Sequence, residues 1–243
     1  PILGSAIKAA PQMVSGKSVL DALLDAGAPG GERNGIAVMA DQCVDVGLRR
    51  RDSKCGCPAA LLHLPAMNTP LPTQALSAYT DRLWDEEIVP ALHRYIEVPA
   101  KSPMFDADWQ KNGYVDRVVR DAAAWVEGKK LSGLKLEVVR LEGRTPVILF
   151  EVPATKTGSN DTVLLYGHLD KQPEFNGWRS DLGPWTPKYE NGLLYGRGGA
   201  DDGYAVYASL AAIMALDAQN IPRPRCVGLI ESCEESGSVD LPV

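Results

Sequence analysis

Three motifs in the second half of the chain decide its fold and its chemistry. They read VLLYGHLD (residues 163–170), YGRGGADDG (195–203) and ESCEESGS (231–238). Each begins in, or directly follows, a short apolar run of the kind that forms a buried strand. Open α/β sheets bind ligands beyond the carboxyl ends of their strands. The motifs therefore predict one histidine and several carboxylates at that edge of a sheet.

Helical and strand patterns alternate around these motifs. Apolar residues recur at near-helical spacing over 73–97, where Pro90 should kink or divide the helix. Two more helices are predicted, over 112–128 and from Asp202 to Leu216. Strands are predicted in the remaining apolar or alternating runs, at 134–141, 146–152, 162–166, 193–195 and 225–230.

Composition excludes several classes of protein. The net charge of -6 and the lack of a Lys/Arg stripe argue against nucleic acid as a partner. No apolar run reaches the length of about 18 residues that a membrane helix needs, so no membrane association is expected. Five cysteines in 243 residues make no disulfide framework. With no secretory pattern at the N-terminus, we predict free thiols and a cytoplasmic location.

Residues 1–66 differ from the rest of the chain. They mix Ala, Gly, Pro and Arg with little sustained periodicity, whereas clear helical periodicity begins soon after Met67. We therefore predict an atypical N-terminal extension over 1–66 that is disordered or not native, with Met67 as the natural start. The remaining domain would cover residues 67–243.

The first two motifs carry residues suited to a metal site. A metal-bound imidazole needs its second nitrogen held by a partner, and Asp170 could do this for His168; the alternative is a surface histidine beside an acid. The run from Gly196 to Asp201 resembles a dinucleotide-binding loop, but a carboxylate at its sixth position would repel a pyrophosphate. The glycines instead suggest a tight path that points Asp201 inward, where its two oxygens can bridge two cations.

The third motif contains two adjacent carboxylates. Adjacent side chains usually point in different directions, so one of Glu234 and Glu235 can bind a metal while the other faces the substrate water. The alternative is a solvated acidic turn. Together with His168 and Asp201, the pair suits metal-assisted hydrolysis, which needs nitrogen and oxygen ligands and an uncommitted carboxylate as base.

These three motifs resemble the M20 family of metallopeptidases, the carnosinase, carboxypeptidase G and acetylornithine deacetylase-like group. GHLD, GRGGADDG and EESGS carry the resemblance, together with the Trp- and Pro-rich loop and NGLLYGR (191–197), and it covers roughly Pro70 to the last residue. It implies a three-layer α-β-α, zinc-peptidase-like catalytic domain with a mixed, mostly parallel sheet. Residues 67–243 would be the N-terminal part of that domain.

The resemblance also implies a role for each site residue. His168 would bind one metal, with Asp170 orienting it, and Asp201 would bridge two metals, with a cis peptide to Asp202. Glu234 would be the general base and Glu235 a ligand of the second metal. The implied cofactors are two divalent ions, zinc first, with manganese or cobalt as alternatives.

Two departures from the family pattern qualify the prediction. The lysine that usually follows the paired acids is missing, since Gly203 directly follows Asp202. The chain also ends at Val243, before the family's further acidic ligand, its lid and dimerisation domain and its late histidine. We predict the front part of a homodimeric enzyme acting on dipeptides or short peptides. The alternatives are an N-acyl-amino-acid deacylase and an inactive, truncated metal-binding fragment.

Overall fold

Apolar runs too short for a helix form the sheets. The computed structural model describes residues 38–39, 71–155 and 161–241. Within these residues there is a five-stranded sheet and a separate two-stranded ribbon. In chain order the strands are β1 (Val38–Met39), β2 (Lys135–Val139), β3 (Val147–Val152), β4 (Thr162–His168), β5 (Lys188–Glu190), β6 (Leu193–Tyr195) and β7 (Arg225–Glu231), of which β5 and β6 form the ribbon.

The five-stranded sheet is mixed, as predicted. Its strand order is β1-β4-β7-β3-β2, with β1–β4 and β4–β7 parallel and β7–β3 and β3–β2 antiparallel. The described pairings are therefore equally parallel and antiparallel, rather than mostly parallel. The β2–β3 pair has to be antiparallel because a short turn containing Gly143, at φ +75°, joins the two strands.

Five α-helices lie in the described residues: α1 (Thr73–Leu83), α2 (Val89–Ile96), α3 (Trp109–Asn112), α4 (Tyr114–Gly128) and α5 (Ala205–Ala218). The predicted break near Pro90 is confirmed, because a π-helical turn, Trp84–Ile88, separates α1 from α2. Proline has no N–H for the helical ladder, which disturbs the turn before it. The predicted helix start at Asp202 is wrong by three residues, since Asp201 and Asp202 have non-helical backbone angles.

One face of the sheet packs against α4 and α5. Trp125 of α4 meets Tyr207 of α5 edge to face, with 4.9 Å between ring centroids. Beneath them lie Phe150 of β3 and Ile230 of β7, both buried. A side chain at Gly228 would sit 1.9 Å from the Phe150 ring, so only glycine fits opposite it. This face supplies the main hydrophobic core.

The other face of the sheet is more open within the described residues. Leu149 of β3 is 37% exposed and Leu164 of β4 is 47% exposed, whereas their strand neighbours Ile148 and Leu165 are buried. Alternate residues of a strand point to opposite faces, so both leucines lie on the face away from α4 and α5. Of the three predicted layers, the described residues thus contain the sheet and one helical layer.

The prediction for residues 1–66 falls almost entirely outside the described residues, as does Met67. The exception is β1, which pairs in parallel with Leu165 and Tyr166 of β4. The boundary at 66/67 stays a prediction. Among the described residues, every helix is too short or too polar to cross a membrane.

Candidate metal centre

The predicted residues meet at the carboxyl ends of β4 and β7. His168 ends β4 and lies opposite Glu231, which ends β7 in the parallel register. Glu234 and Glu235 follow at once in a short 3-10 turn, Glu234–Ser236. Asp201 approaches from the turn that precedes α5. The adjacent parallel strands therefore bring together motifs that are far apart in the sequence.

His168 is almost fully buried and is held on three sides. Its backbone N–H donates to Asp202 Oδ2 at 3.1 Å. Ring atom Nδ1 lies 3.1 Å from the Asp170 carbonyl oxygen and 3.3 Å from Asp170 Oδ1. The other ring nitrogen, Nε2, lies 3.2 Å from Asp201 Oδ1 and 3.7 Å from Glu234 Oε2. With Nδ1 engaged, Nε2 is the nitrogen that faces the carboxylates.

Asp170 links the histidine to the glutamate turn. Its side chain is fully buried, and Oδ1 accepts the backbone N–H of Glu234 at 3.1 Å. Oδ2 accepts the backbone N–H of Glu235 at 3.0 Å. The sequence predicted only contact with His168. In the structure one carboxylate fixes both the imidazole and the backbone of the two glutamates.

The turn that carries Asp201 is tightly packed. The cis peptide expected between Asp201 and Asp202 is present, and the Gly203 N–H donates to the Gly198 carbonyl at 2.8 Å. Gly198 has φ +83°, and a Cβ there would lie 2.7 Å from the Lys171 side chain. At Gly167 a Cβ would lie 2.5 Å from Ala205 Cβ. Glycine at these two positions lets the turn approach β4 closely.

Three side chains form a group of possible metal ligands. His168, Asp201 and Glu235 each offer one ligand atom, and these atoms all lie within 4.8 Å of one another. Glu235 Oε2 accepts a hydrogen bond from Gln172 Nε2 at 2.8 Å. Its other oxygen, Oε1, is buried and has no hydrogen-bond partner among the described residues. One imidazole nitrogen and carboxylate oxygens, one of them unpaired, suit a divalent cation.

The electrostatics of the group favour bound protons or a cation. Burial opposes a charged imidazole, but hydrogen bonds with Asp170 and Asp201 outweigh it and raise the pKa of His168 to about 12. Burial, then the charge of Asp201, raises the pKa of Glu235 to about 7. Although burial opposes it, the hydrogen bond and charge of His168 lower the pKa of Asp201. A metal would replace the protons, because ligands bind it deprotonated.

Sequence reasoning assigned no role to Lys171. It is fully buried, and its Nζ donates to the carbonyl oxygens of Tyr95 and Val98, both at 2.7 Å. The Tyr95 hydroxyl in turn donates to the Leu169 carbonyl at 3.0 Å. These bonds anchor the His168 loop to the end of α2. Lysine is usually exposed, so only its place after Asp170 could have drawn attention to it.

Comparisons with known proteins agree with the motifs. Residues 164–241 match the model of peptidase family M20/M25/M40. The chain is 40% identical over 99 residues to the Beta-Ala-His dipeptidase of Homo sapiens, covering 40% of this chain and 19% of that protein. It is 35% identical over 71 residues to the succinyl-diaminopimelate desuccinylase of Anaplasma marginale, covering 29% of this chain and 17% of that protein.

The fold agrees with a solved structure. The crystal structure of human carnosine dipeptidase 1 superposes with a TM-score of 0.54 at 27% identity, over 71% of this chain and 37% of that chain. The chain thus spans well under half the length of these relatives. The resemblance that the three motifs predicted is confirmed: from residue 164 to residue 241, the chain matches peptidase family M20/M25/M40.

Proposed function

We propose that this chain carries the first part of a dinuclear metal exopeptidase that hydrolyses the amide bond of dipeptides or short peptides. The observation that carries the proposal is the convergence of His168, Asp201 and Glu235 at one edge of the sheet. The similarity to the Beta-Ala-His dipeptidase supports a dipeptide as substrate. Homodimerisation and a cytoplasmic location stay predictions.

Three ligands could serve two ions. His168 would hold one ion through Nε2, Glu235 would hold the second, and Asp201 would be a ligand of both. Nitrogen and carboxylate ligands suit zinc first, with manganese or cobalt as alternatives. Cations bound here would polarise the substrate carbonyl and lower the pKa of the attacking water.

The neighbouring carboxylates orient and move protons. Asp170 holds Nδ1 of His168, which leaves Nε2 available as a ligand. Glu234 acts as the general base, taking a proton from the attacking water and delivering it to the leaving amine. Its Oε2 lies 3.7 Å from His168 Nε2, and its backbone N–H is fixed by Asp170. The base is therefore held next to the space where the ligands converge.

Replacing the base tests the proposal. Glu234→Gln keeps the shape of the side chain but removes the proton acceptor. We expect kcat for dipeptide hydrolysis to fall about 10²–10⁴-fold, with the zinc content unchanged. Glu137→Gln, an exposed change on β2, serves as the matched control. If the Glu234→Gln variant hydrolyses dipeptides at the wild-type rate, Glu234 is not the general base.

The second candidate is deacylation of an N-acyl amino acid, which is favoured by the similarity to a desuccinylase. The same carboxylates would act on a different amide. A panel of dipeptides and N-acetyl amino acids, assayed with one zinc-loaded preparation, separates the two reactions. A kcat/KM higher for the dipeptides supports the exopeptidase, and the reverse order supports the deacylase.

A further inference from the structure

One stretch of the chain contacts all three motifs of the metal centre. It covers residues 95–104, which are the last two residues of α2 and the loop that follows, and we call it the support segment. It contacts the residues after His168, the glycine-rich turn before α5 and the turn that carries the two glutamates. Lys171, which is fully buried, lies where the first two of these contacts meet.

Lys171 joins the first motif to the support segment through both its backbone and its side chain. Its backbone N–H donates to the Ala100 carbonyl, and its carbonyl accepts the Ser102 N–H, both at 3.0 Å. Its Nζ donates to the carbonyls of Tyr95 and Val98, both at 2.7 Å. The protonated and the neutral amine both have N–H groups for these bonds, so the attachment does not depend on the charge of Lys171. Four hydrogen bonds thus fix the end of the first motif.

The glycine-rich turn of the second motif packs on Lys171 and on the support segment. A Cβ at Gly198 would lie 2.7 Å from the Lys171 stem, and one at Gly203 would lie 2.1 Å from the Tyr95 ring. Lys171 Nζ lies 3.8 Å from the centre of the same ring. No side chain fits at residue 203, where the family pattern has a lysine, and the amine on that ring belongs to Lys171 instead. The turn that carries Asp201 therefore rests on Lys171 and Tyr95.

The support segment also holds the glutamate turn. Ser102 and Ser236 are both buried, and their hydroxyl oxygens lie 2.5 Å apart. The Met104 N–H donates to the same Ser236 hydroxyl at 2.9 Å. Ser236 directly follows Glu235, so the segment reaches the third possible ligand. Because Lys171 accepts the Ser102 N–H, the attachments of the first and third motifs share one residue.

We propose that Lys171 is a positioning residue of the metal centre, which keeps the His168 loop and the Asp201 turn in place relative to each other. The inference rests on the proposed function, because it assigns Lys171 to the metal site of that function. A buried amine without acceptors is unfavourable, so the His168 loop cannot shift without losing the two bonds of Nζ. Partners that orient metal ligands in this way tune the affinity for the metal.

The zinc affinity of folded variants tests the proposal. Lys171→Met keeps the stem against Gly198 but removes both bonds of Nζ. We expect zinc binding to the full chain, measured by competition with a chelator, to weaken about 10- to 100-fold. The matched control is Arg223→Met, just before β7, since the buried Arg223 side chain bonds to Asp217 and to the Pro153 carbonyl. The control should also lose stability in urea, but it should keep its zinc affinity.

A second variant keeps the test decisive if Lys171→Met fails to fold. Lys171→Gln is one bond shorter but keeps an N–H₂ donor, so it should weaken zinc binding less than Lys171→Met. Wild-type zinc affinity in folded Lys171→Met, or in Lys171→Gln where only that variant folds, would overturn the proposal. An equal loss of zinc affinity in Arg223→Met would also overturn it, because general destabilisation would then explain the effect.

Amide hydrogen exchange decides the proposal if the wild-type chain holds no zinc, a result that would defeat the proposed function. The Leu169 N–H donates to the Glu231 carbonyl, and the Ser102 N–H donates to the Lys171 carbonyl. In the metal-free chain, Lys171→Met should raise the exchange rates of these two amides about 10-fold relative to the amides of β3. Arg223→Met should leave that ratio unchanged. An unchanged ratio in Lys171→Met would overturn the proposal.

The two proposals fail in different ways. If Lys171→Met weakens zinc binding but the wild-type chain hydrolyses neither dipeptides nor N-acetyl amino acids, Lys171 keeps its role and the proposed function fails. If the wild-type chain hydrolyses either class and folded Lys171→Met binds zinc as tightly as the wild-type chain, the proposed function stands and the inference about Lys171 fails.

Discussion

Two groups of charged side chains among the described residues lie in different surroundings. In the loop before β5 and in β5 itself, Arg179, Asp181, Lys188 and Glu190 form a chain of ion pairs. Their side chains are between 28% and 47% exposed. At the metal centre, the side chains of His168 and Asp170 are 1% exposed or less, whereas those of Asp201 and Glu234, at its rim, are 28% and 31% exposed. Water and salt screen the first group, whereas the protein itself must satisfy the second.

This difference explains why the metal centre needs a bound cation or proton and the loop does not. Each charge of the loop pairs with an opposite charge, so the loop needs nothing more, and its pairs contribute little to stability. The centre gathers carboxylates around one imidazole, and one buried oxygen of Glu235 has no partner among the described residues. Excess buried negative charge attracts cations or protons. The exposed pairs hold a loop in place, whereas the charges of the metal centre favour the binding of a cation.

The largest predicted effect is removal of the buried charge that ties the centre together. Asp170→Asn would turn an acceptor of two backbone N–H groups into a side chain with its own N–H₂ facing one of them. We expect the free energy of unfolding to fall by about 3 kcal/mol, with weaker zinc binding. Urea unfolding measures the first effect. Asp116→Asn, at a half-exposed ion pair on α4, is the control and should change stability by less than about 1 kcal/mol.

The centre should also respond to pH in a way the loop does not. The pKa of Glu235 is raised above its usual value of 4.5 to about 7 in the folded chain. A carboxyl group with a raised pKa stabilises the folded chain fully below pH 4.5, and this stabilisation is lost as the pH rises through 7. Without metal, the wild-type chain should therefore lose stability between these pH values relative to Glu235→Gln. With zinc the trend should reverse, because the metal displaces the proton.

Thermal unfolding of both chains across this pH range, with and without zinc, checks the prediction. Parallel curves for the wild-type chain and Glu235→Gln in the absence of metal would contradict it.

The smallest predicted effect lies in the exposed loop. Asp181→Asn removes the charge that Arg179 and Lys188 share. Because the pairs are exposed, we expect almost no change in the free energy of unfolding, and any small effect should shrink further in high salt. Zinc content should be unchanged. A loss of zinc in this variant would show that the loop supports the centre more than its exposure suggests.

The sequence predicted the site because the chemistry constrains residues next to each other. A histidine two residues before an aspartate, and two glutamates after a buried strand, carry their roles in local order. Because these motifs follow predicted strands, the ends of those strands place their side chains at one edge of the sheet. Apolar runs and helical periodicity are also local signals, and they predicted the individual helices and strands. The mixed three-layer fold was implied by the resemblance to the family.

Contacts between distant loops could not be predicted in this way. The bonds from Asp170 to the Glu234 and Glu235 N–H groups span 64 and 65 residues of sequence. The antiparallel pairing of β3 with β7 likewise depends on long-range topology. Composition would place Lys171 at the surface. Its burial follows from close packing around Gly198, which no local pattern encodes.

The measurement that tests the central claim most directly is the zinc content of the chain after equilibrium dialysis, beside an Asp201→Ala variant. The proposed two-ion centre predicts about two tightly held zinc ions per wild-type chain and their loss in Asp201→Ala, because the Asp201 carboxylate would be a ligand of both ions. Asp116→Ala, on the surface of α4, should bind zinc as the wild-type chain does. No tightly held zinc in the wild-type chain, or equal zinc in Asp201→Ala, would contradict the account.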